Sequence, residues 1–273
     1  MKSIAKFITA LICLVILVQP VLAAGHPLIK AGNPKGVMMC NSLVSNVTTL
    51  YAYNWDGYAV STQAGAVTDV KGSWVVPSVK TKVPSQYSCN WVGMDGANSP
   101  TVEQIGTDSD TDVKGKPSYY AWYEIYPDIA HQIPLKINAN DKISAEVSYN
   151  PKTSVFTLSI KDITTGKSFE TKQKYDGCVR SSAEWVNEAP YMNGVLPLTN
   201  FGTTLFGKYY TSVCNTCYAT IDGKTKNIYD FSTNNNYQVN KIMMVSGDMS
   251  TKALPSQLNK DGSSFSVSWI KAQ

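Results

Sequence analysis

The chain has 273 residues, 43% of them apolar and 16% charged, which suffices for one large domain or two small ones and is too apolar for a disordered chain. Eighteen glycines without a fixed period exclude a collagen-like repeat. A formal charge of only +4, a single arginine (Arg180) and no dense basic run leave out the basic stripe of a nucleic-acid binder.

The first 23 residues read as a secretory signal. Lys2 and Lys6 supply the positive start, Phe7 to Val18 is almost wholly apolar, and Val21-Leu22-Ala23 puts small residues where a signal peptidase reads. The run is short for a spanning helix and Gln19-Pro20 interrupts it, so no membrane association is expected once it is removed. Cleavage removes two lysines and takes the net charge from +4 to +2. Residues 24–50 have weak patterning and hold Gly32-Asn33-Pro34; they read as a prosegment, a linker or a first edge strand. Asn46-Val47-Thr48 is a glycosylation sequon.

Residues 51–273 read as a single β domain. Ile143, Ala145, Val147 and Tyr149 alternate with polar residues, Asn150 to Thr153 is turn chemistry, and Phe156, Leu158 and Ile160 alternate again, which together predict a hairpin. Thr165-Gly166-Lys167 is the next turn, and Phe265, Val267 and Trp269 close the chain with the same period. No long segment after the signal carries a 3.6-residue period. Many short strands with Gly, Asn and Pro turns predict an all-β sandwich or barrel.

Export sets how the cysteines are read. Cys13 leaves with the signal, and Cys40, Cys89, Cys178, Cys214 and Cys217 remain, so at most two disulfides can form. Cys214 and Cys217 read as a local disulfide or as two thiols, because no second pair or nearby His completes a zinc site.

Elimination narrows the chemistry. There are two histidines, His26 and His131, with no GxSxG, HExxH, phosphate loop or dinucleotide fingerprint. Asp108, Asp110 and Asp112 alternate as in a calcium loop, but Val113 stands where the loop needs glycine, so an exposed acidic hairpin loop is expected. What remains is acids set among aromatics: Trp91 to Gly96, Glu103 to Gly106, Tyr119 to Pro127 and Ala183 to Glu188. A β face of this kind suits sugar rings or an extended peptide, and its acids suit proton transfer.

These blocks together resemble the glutamic peptidases, the eqolisins of peptidase family G1. Asn54-Trp55-Asp56-Gly57 is similar to the family's opening NWxG, and Gly72-Ser73-Trp74-Val75-Val76-Pro77 to its GxWxVP strand. Trp91-Val92-Gly93-Met94-Asp95-Gly96 resembles WVGIDG, and Glu103-Gln104-Ile105-Gly106 resembles LQxG. Ala121 to Pro127 is close to AWYEWYP, and Cys178 with Ala183 to Glu188 and Asn200-Phe201-Gly202 follow in order.

The resemblance implies an antiparallel lectin-like (concanavalin-like jelly-roll) β-sandwich of two large sheets and a secreted, monomeric, pepstatin-insensitive endopeptidase acting on polypeptides without metal or other cofactor. Its catalytic pair falls on Gln104 and Glu184. Glu184 would take a proton from a water held between the two, and the Gln104 amide would stabilise the oxyanion. A carboxylate base near its unperturbed value of about 4.3 works in acid, so an acidic optimum is expected. Trp91, Asp95, Asp108 and Glu124 fall on positions that line or support the site, and Trp185 and Glu188 on the scaffold. Tyr120 stands where the family often has an acid, and the 207–262 region has no counterpart in the motifs. Two other readings remain on the same sandwich: a carbohydrate-binding or adhesion module without catalysis, and a glycosidase using paired acids such as Glu103 and Glu184.

Overall fold

The computed structural model describes residues 40, 41 and 47–273. The signal, His26, the side chain of Cys40 and the sequon asparagine Asn46 lie outside the described residues. In chain order the strands are β1 (Cys40–Asn41), β2 (Val47–Ala52), β3 (Trp55–Ser61), β4 (Val67–Val75), β5 (Cys89–Met94) and β6 (Val102–Thr111). They continue with β7 (Pro117–Tyr126), β8 (His131–Lys136), β9 (Lys142–Asn150), β10 (Val155–Asp162), β11 (Ser168–Lys174), β12 (Ser182–Glu188) and β13 (Thr203–Phe206). After the one-turn helix α1 (Lys208–Thr211) come β14 (Tyr218–Ile221), β15 (Lys224–Asn227), the short helix α2 (Ile228–Phe231), β16 (Gln238–Val245), β17 (Thr251–Pro255) and β18 (Phe265–Trp269).

The strands form two layers. The first runs β1–β2–β16–β3–β12–β5–β6–β7–β8, antiparallel except for the parallel pair β2–β16. The second runs β11–β10–β9–β4–β13–β18–β17, with the hairpin β14–β15 against the other half of β4. The pair β16–β17 joins the layers across a bulge. The hairpin predicted over 143–160 is β9–β10, with Phe156 opposite Tyr149 and Leu158 opposite Val147. The 207–262 region is part of the body: α2 buries Ile228 and Phe231, and β16 lies between β2 and β3. The weakly patterned stretch 24–50 ends in a strand, since β2 begins at Val47.

Period-two alternation sends every second residue of the first layer inward. Tyr58, Val60, Val92, Met94, Ile105, Ala183 and Trp185 pack there against Trp74, Val147, Phe156 and Leu158 of the second layer. The alternate residues, on the outer face of the first layer, form a separate apolar cluster of Trp55, Ala59, Cys89, Trp91, Trp122 and Val186. A sheet with aromatics on both faces is the frame on which the acids stand. No disulfide occurs among the described residues, so Cys214 and Cys217 are two thiols, the former exposed and the latter buried. No helix among the described residues is long and apolar enough to cross a membrane.

Candidate active site

Strand register assembles the site. Glu184 on β12 is directly opposite Gly93 on β5, and Gly93 is directly opposite Gln104 on β6. Gln104 in turn faces Glu124 on β7, and Glu184 faces Ala59 on β3. Residues opposite one another in an antiparallel sheet share a face, so Glu184, Gln104 and Glu124 all stand on the outer face. Neighbouring strands lie about 4.8 Å apart, which sets the Glu184 and Gln104 backbones about 10 Å apart with one residue between them.

That residue must lack a side chain. A Cβ at Gly93 would stand 2.9 Å from the Glu103 carbonyl oxygen, 3.1 Å from Gln104 Cβ and 3.1 Å from Trp91 Cζ3. Gly106, opposite Trp91 and Trp122 in the next row, is constrained likewise: its Cβ would meet Trp91 Cβ at 2.6 Å. Gly93→Ala is therefore expected to displace Gln104 and lower kcat/KM about 100-fold, the scale of a small misplacement of catalytic groups. Steady-state kinetics beside a thermal melt checks this, and a variant of unchanged kcat/KM would mean that the space over Gly93 is not used.

Hydrogen bonds orient the pair. Gln104 Nε2 donates to Glu124 Oε2 at 2.6 Å, which fixes which end of the amide points where. Gln104 Oε1 and both carboxyl oxygens of Glu184 are buried and have no protein hydrogen-bond partner. A buried polar atom left so is rare, and three of them flanking one side-chain-free position make a place for a polar guest. Burial pushes Glu184 well above the ordinary glutamate range; the Asp95 and Glu103 charges add to this, and the nearby Ser182 hydroxyl and Ala97 backbone, short of hydrogen-bonding geometry, oppose it. This corrects the expectation of an unperturbed base: a carboxyl out of water favours its neutral form.

Trp91 stands beside the pair on the same face. Its Nε1 donates to Glu188 Oε2 at 2.9 Å, Asn54 Nδ2 donates to Glu188 Oε1 at 3.1 Å, and Trp55 packs edge-on to it at 4.8 Å. Glu188 thus holds the Trp91 ring, while Trp185 points into the core with its Nε1 on the Lys71 carbonyl at 2.7 Å.

Asp108 occupies the far row of this face and accepts from Trp122 Nε1 and, at 2.6 Å, from the Tyr120 hydroxyl. The same hydroxyl reaches Asp110 Oδ2 at 3.3 Å, so Tyr120 bridges the two acids where the family often has an acid. The exposed acidic hairpin loop expected over 108–112 is not found. Asp108 and Asp110 are buried in β6, and only Asp112, at the turn, is exposed. Burial raises Asp108 to about 7, so that near and below neutrality its neutral, hydrogen-bonding form is favoured. Among the described residues no group of three His, Cys, Asp or Glu is arranged to hold a metal ion.

Asp95 bears on the backbone that leads into β12. Its carboxylate accepts from the backbone N–H groups of Val179 (2.8 Å), Arg180 (2.6 Å) and Ser181 (2.8 Å), and its own N–H donates to the Ser182 carbonyl. It fixes the entry to β12 and so the height at which Glu184 emerges. Sequence reasoning missed Gly93 and Gly106, whose motif positions carried the signal but whose purpose needs the register. It also missed that Glu103, one residue before Gln104, faces the other side of β6.

The model of the Peptidase A4 family matches residues 53–253. The chain is 29% identical over 202 residues to Aspergillopepsin-2 of Aspergillus niger, covering 64% of this chain and 68% of that protein. Its fold is similar to that of scytalido-glutamic peptidase bound to a transition state analog inhibitor, with a TM-score of 0.64 at 21% identity over 80% of this chain and 98% of the other. Aspergilloglutamic peptidase from Aspergillus niger is similar with a TM-score of 0.55 at 25% identity, over 68% and 99% of the two chains. With three quarters of its length matched and the β-sandwich in place, the chain belongs to the Peptidase A4 family and is a glutamic endopeptidase acting on polypeptides.

Proposed function

We propose that Glu184 is the general base and Gln104 the oxyanion stabiliser of an exported acid endopeptidase. The observation that carries this is the row Glu184–Gly93–Gln104, with three unpartnered oxygens around a position that has no side chain. A water there can donate one proton to Gln104 Oε1 and give the other to Glu184 as its oxygen attacks the scissile carbonyl, which leaves one N–H of Gln104 for the oxyanion. The second N–H of Gln104 is committed to Glu124 and keeps the amide in place. The developing oxyanion is met by the amide N–H, and protonated Glu184 then supplies the leaving amine.

The rival readings fit less well. Glu103 and Gln104 are consecutive on one strand, so Glu103 and Glu184 lie on opposite faces of the sheet and do not flank one glycosidic bond. Trp91 and Trp122 spend their N–H groups on Glu188 and Asp108, which leaves neither indole N–H for a sugar hydroxyl.

A base must be ionised to act, and Glu184 is fully buried in the full chain. Activity therefore requires that this face meet water in the active enzyme; separately, residues 1–23 are read as the export signal and the stretch that follows, up to β2, as a prosegment removed in maturation. N-terminal sequencing of active secreted enzyme is expected to give a start within 40–47; a start at Ala24 in fully active material would end the prosegment reading. The function itself is tested by peptide release from a denatured protein in acid, with pepstatin present to silence aspartic peptidases. Release by wild type and none by folded Glu184→Gln is the expected result. Absence of release from correctly processed wild type would favour a binding module.

A further inference from the structure

Glu103 is a fully buried acid that the mechanism does not use. Neither of its oxygens makes a well-formed hydrogen bond; the groups beside it are the Asp95 carboxyl and the Thr101 hydroxyl, the latter turned to Asp95. Asp95 already receives the N–H groups of Val179, Arg180 and Ser181 and the Thr101 hydroxyl at 3.3 Å, while the Ser181 hydroxyl, 3.2 Å away, has the shorter partner Asn98 Oδ1 at 2.8 Å. Asp95 holds this arrangement at a φ of 70°, a conformation that aspartate adopts at a cost. Two adjacent buried carboxyl groups are compatible only when a proton lies between them, as a carboxyl donating to a carboxylate.

The positions of the two acids give this contact a consequence. Glu103 is covalently next to Gln104, and Asp95 grips residues 179–182, the entry to the strand of Glu184. We propose that Glu103 is a positioning residue whose protonated carboxyl donates to Asp95, tying the strand of Gln104 to the entry of the strand of Glu184, and that loss of this proton sets the upper pH limit of activity. The inference rests on the reading of Gln104 and Glu184 as the catalytic pair. Burial favours the neutral form of Glu103, and the neighbouring Asp95 charge acts in the same direction, with Thr101 opposing. The other titratable groups around it are Glu184 on β12 and Tyr175 and Cys178 on the connection from β11. Arg180 is the nearby cation, but its guanidinium is turned to the Gly65 and Val67 carbonyls and the Tyr149 ring.

Glu103→Gln keeps the shape and supplies an N–H donor at every pH. In acid its kcat/KM is expected within about twofold of wild type, because the proton is then in place in both. The upper limb of its pH profile is expected to move up by about one unit, leaving about tenfold more activity than wild type at the pH one unit above the wild-type midpoint. Superimposed upper limbs, or an equal loss at all pH, would overturn the proposal, the latter by reducing Glu103 to a packing role. Melting against pH, with Glu184→Gln added to both proteins, separates this from the mechanism. If neither protein cleaves peptide, the catalytic reading fails, and the clamp is still decided by whether Glu103→Gln holds its melting temperature to higher pH. Should the variant not fold, carboxyl NMR titration of the wild type decides: Glu103 is expected to lose its proton later than every exposed glutamate, and titration with them refutes the clamp.

Discussion

Glu184→Gln is expected to reduce kcat by a factor of about 10³ to 10⁴ with KM changed little, in a protein that still folds. The magnitude follows from what the substitution removes. A positioned general base contributes about 10² to 10⁴, and in the proposed mechanism the same carboxyl also serves as the acid for the leaving amine. The residue is isosteric and sits in a pocket that places no hydrogen bond on either oxygen, so the amide meets no lost partner. Folding is expected to be unimpaired for a second reason: wild-type Glu184 is neutral when buried, and a neutral amide replaces a neutral acid. Gln104→Ala removes an oxyanion donor and one holder of the water, which on the scale of such donors costs about 10² to 10³. The two losses are expected to be far from additive, because both residues act on one water. If Glu184→Gln retained more than about a tenth of wild-type kcat, Glu184 would not be the base.

How far the sequence reaches toward this site depends on which interactions are local. Alternation over 143–149 and 156–160 defines a hairpin whose partners are neighbours in the chain, and β9–β10 forms as predicted. The acids and amide of the site are legible because they stand in dense aromatic blocks. The space between them is not legible. It depends on Gly93 lying between Glu184, 91 residues later, and Gln104, a register set by core packing of Val92, Ile105 and Trp185 on the opposite face. Asp108 and Asp110 show the converse error. Alternating aspartates near a turn read as solvated, since burial of a carboxyl is expected only with a partner. The partners, Trp122, Tyr120 and the Ser88 backbone, come from β7 and from before β5, and no local pattern announces them. The parallel pairing of β2 with β16, nearly 200 residues apart, is invisible for the same reason.

The chain is expected to be most stable in acid and to lose stability between about pH 4 and 8. Asp56, Glu103, Asp110 and Glu188 are each held well above the ordinary carboxylate range, first of all by burial. Asp108 is raised to about 7 and Asp69 to about 8, the latter by burial and then by Glu146 beside it. The sign follows from linkage. A carboxyl whose value is higher in the folded state stabilises the fold fully below its unfolded value, near 4, and that contribution disappears as pH rises through the folded value. Among the described residues, cations do little to reverse this. Lys252 faces Asp56, and the same burial lowers the lysine itself to about 8; Lys71 bridges Asp69 and Glu146 at 3.9 and 3.2 Å but is partly exposed. Asp112, Asp248 and Asp261 act in the opposite sense, since hydrogen bonds at exposed or half-buried turns lower them, and water screens their effect. A few kcal/mol lost across this window corresponds to a fall in melting temperature on the order of 10 °C for a domain of this size. The measurement is a set of thermal melts from pH 3 to 8 on the Glu184→Gln variant, so that self-digestion does not intrude. A melting temperature that is flat, or highest near neutrality, would mean that these carboxyls are ionised and paired in the fold, and the account of the acid-lined face as an array of neutral hydrogen-bonding groups would fall with it.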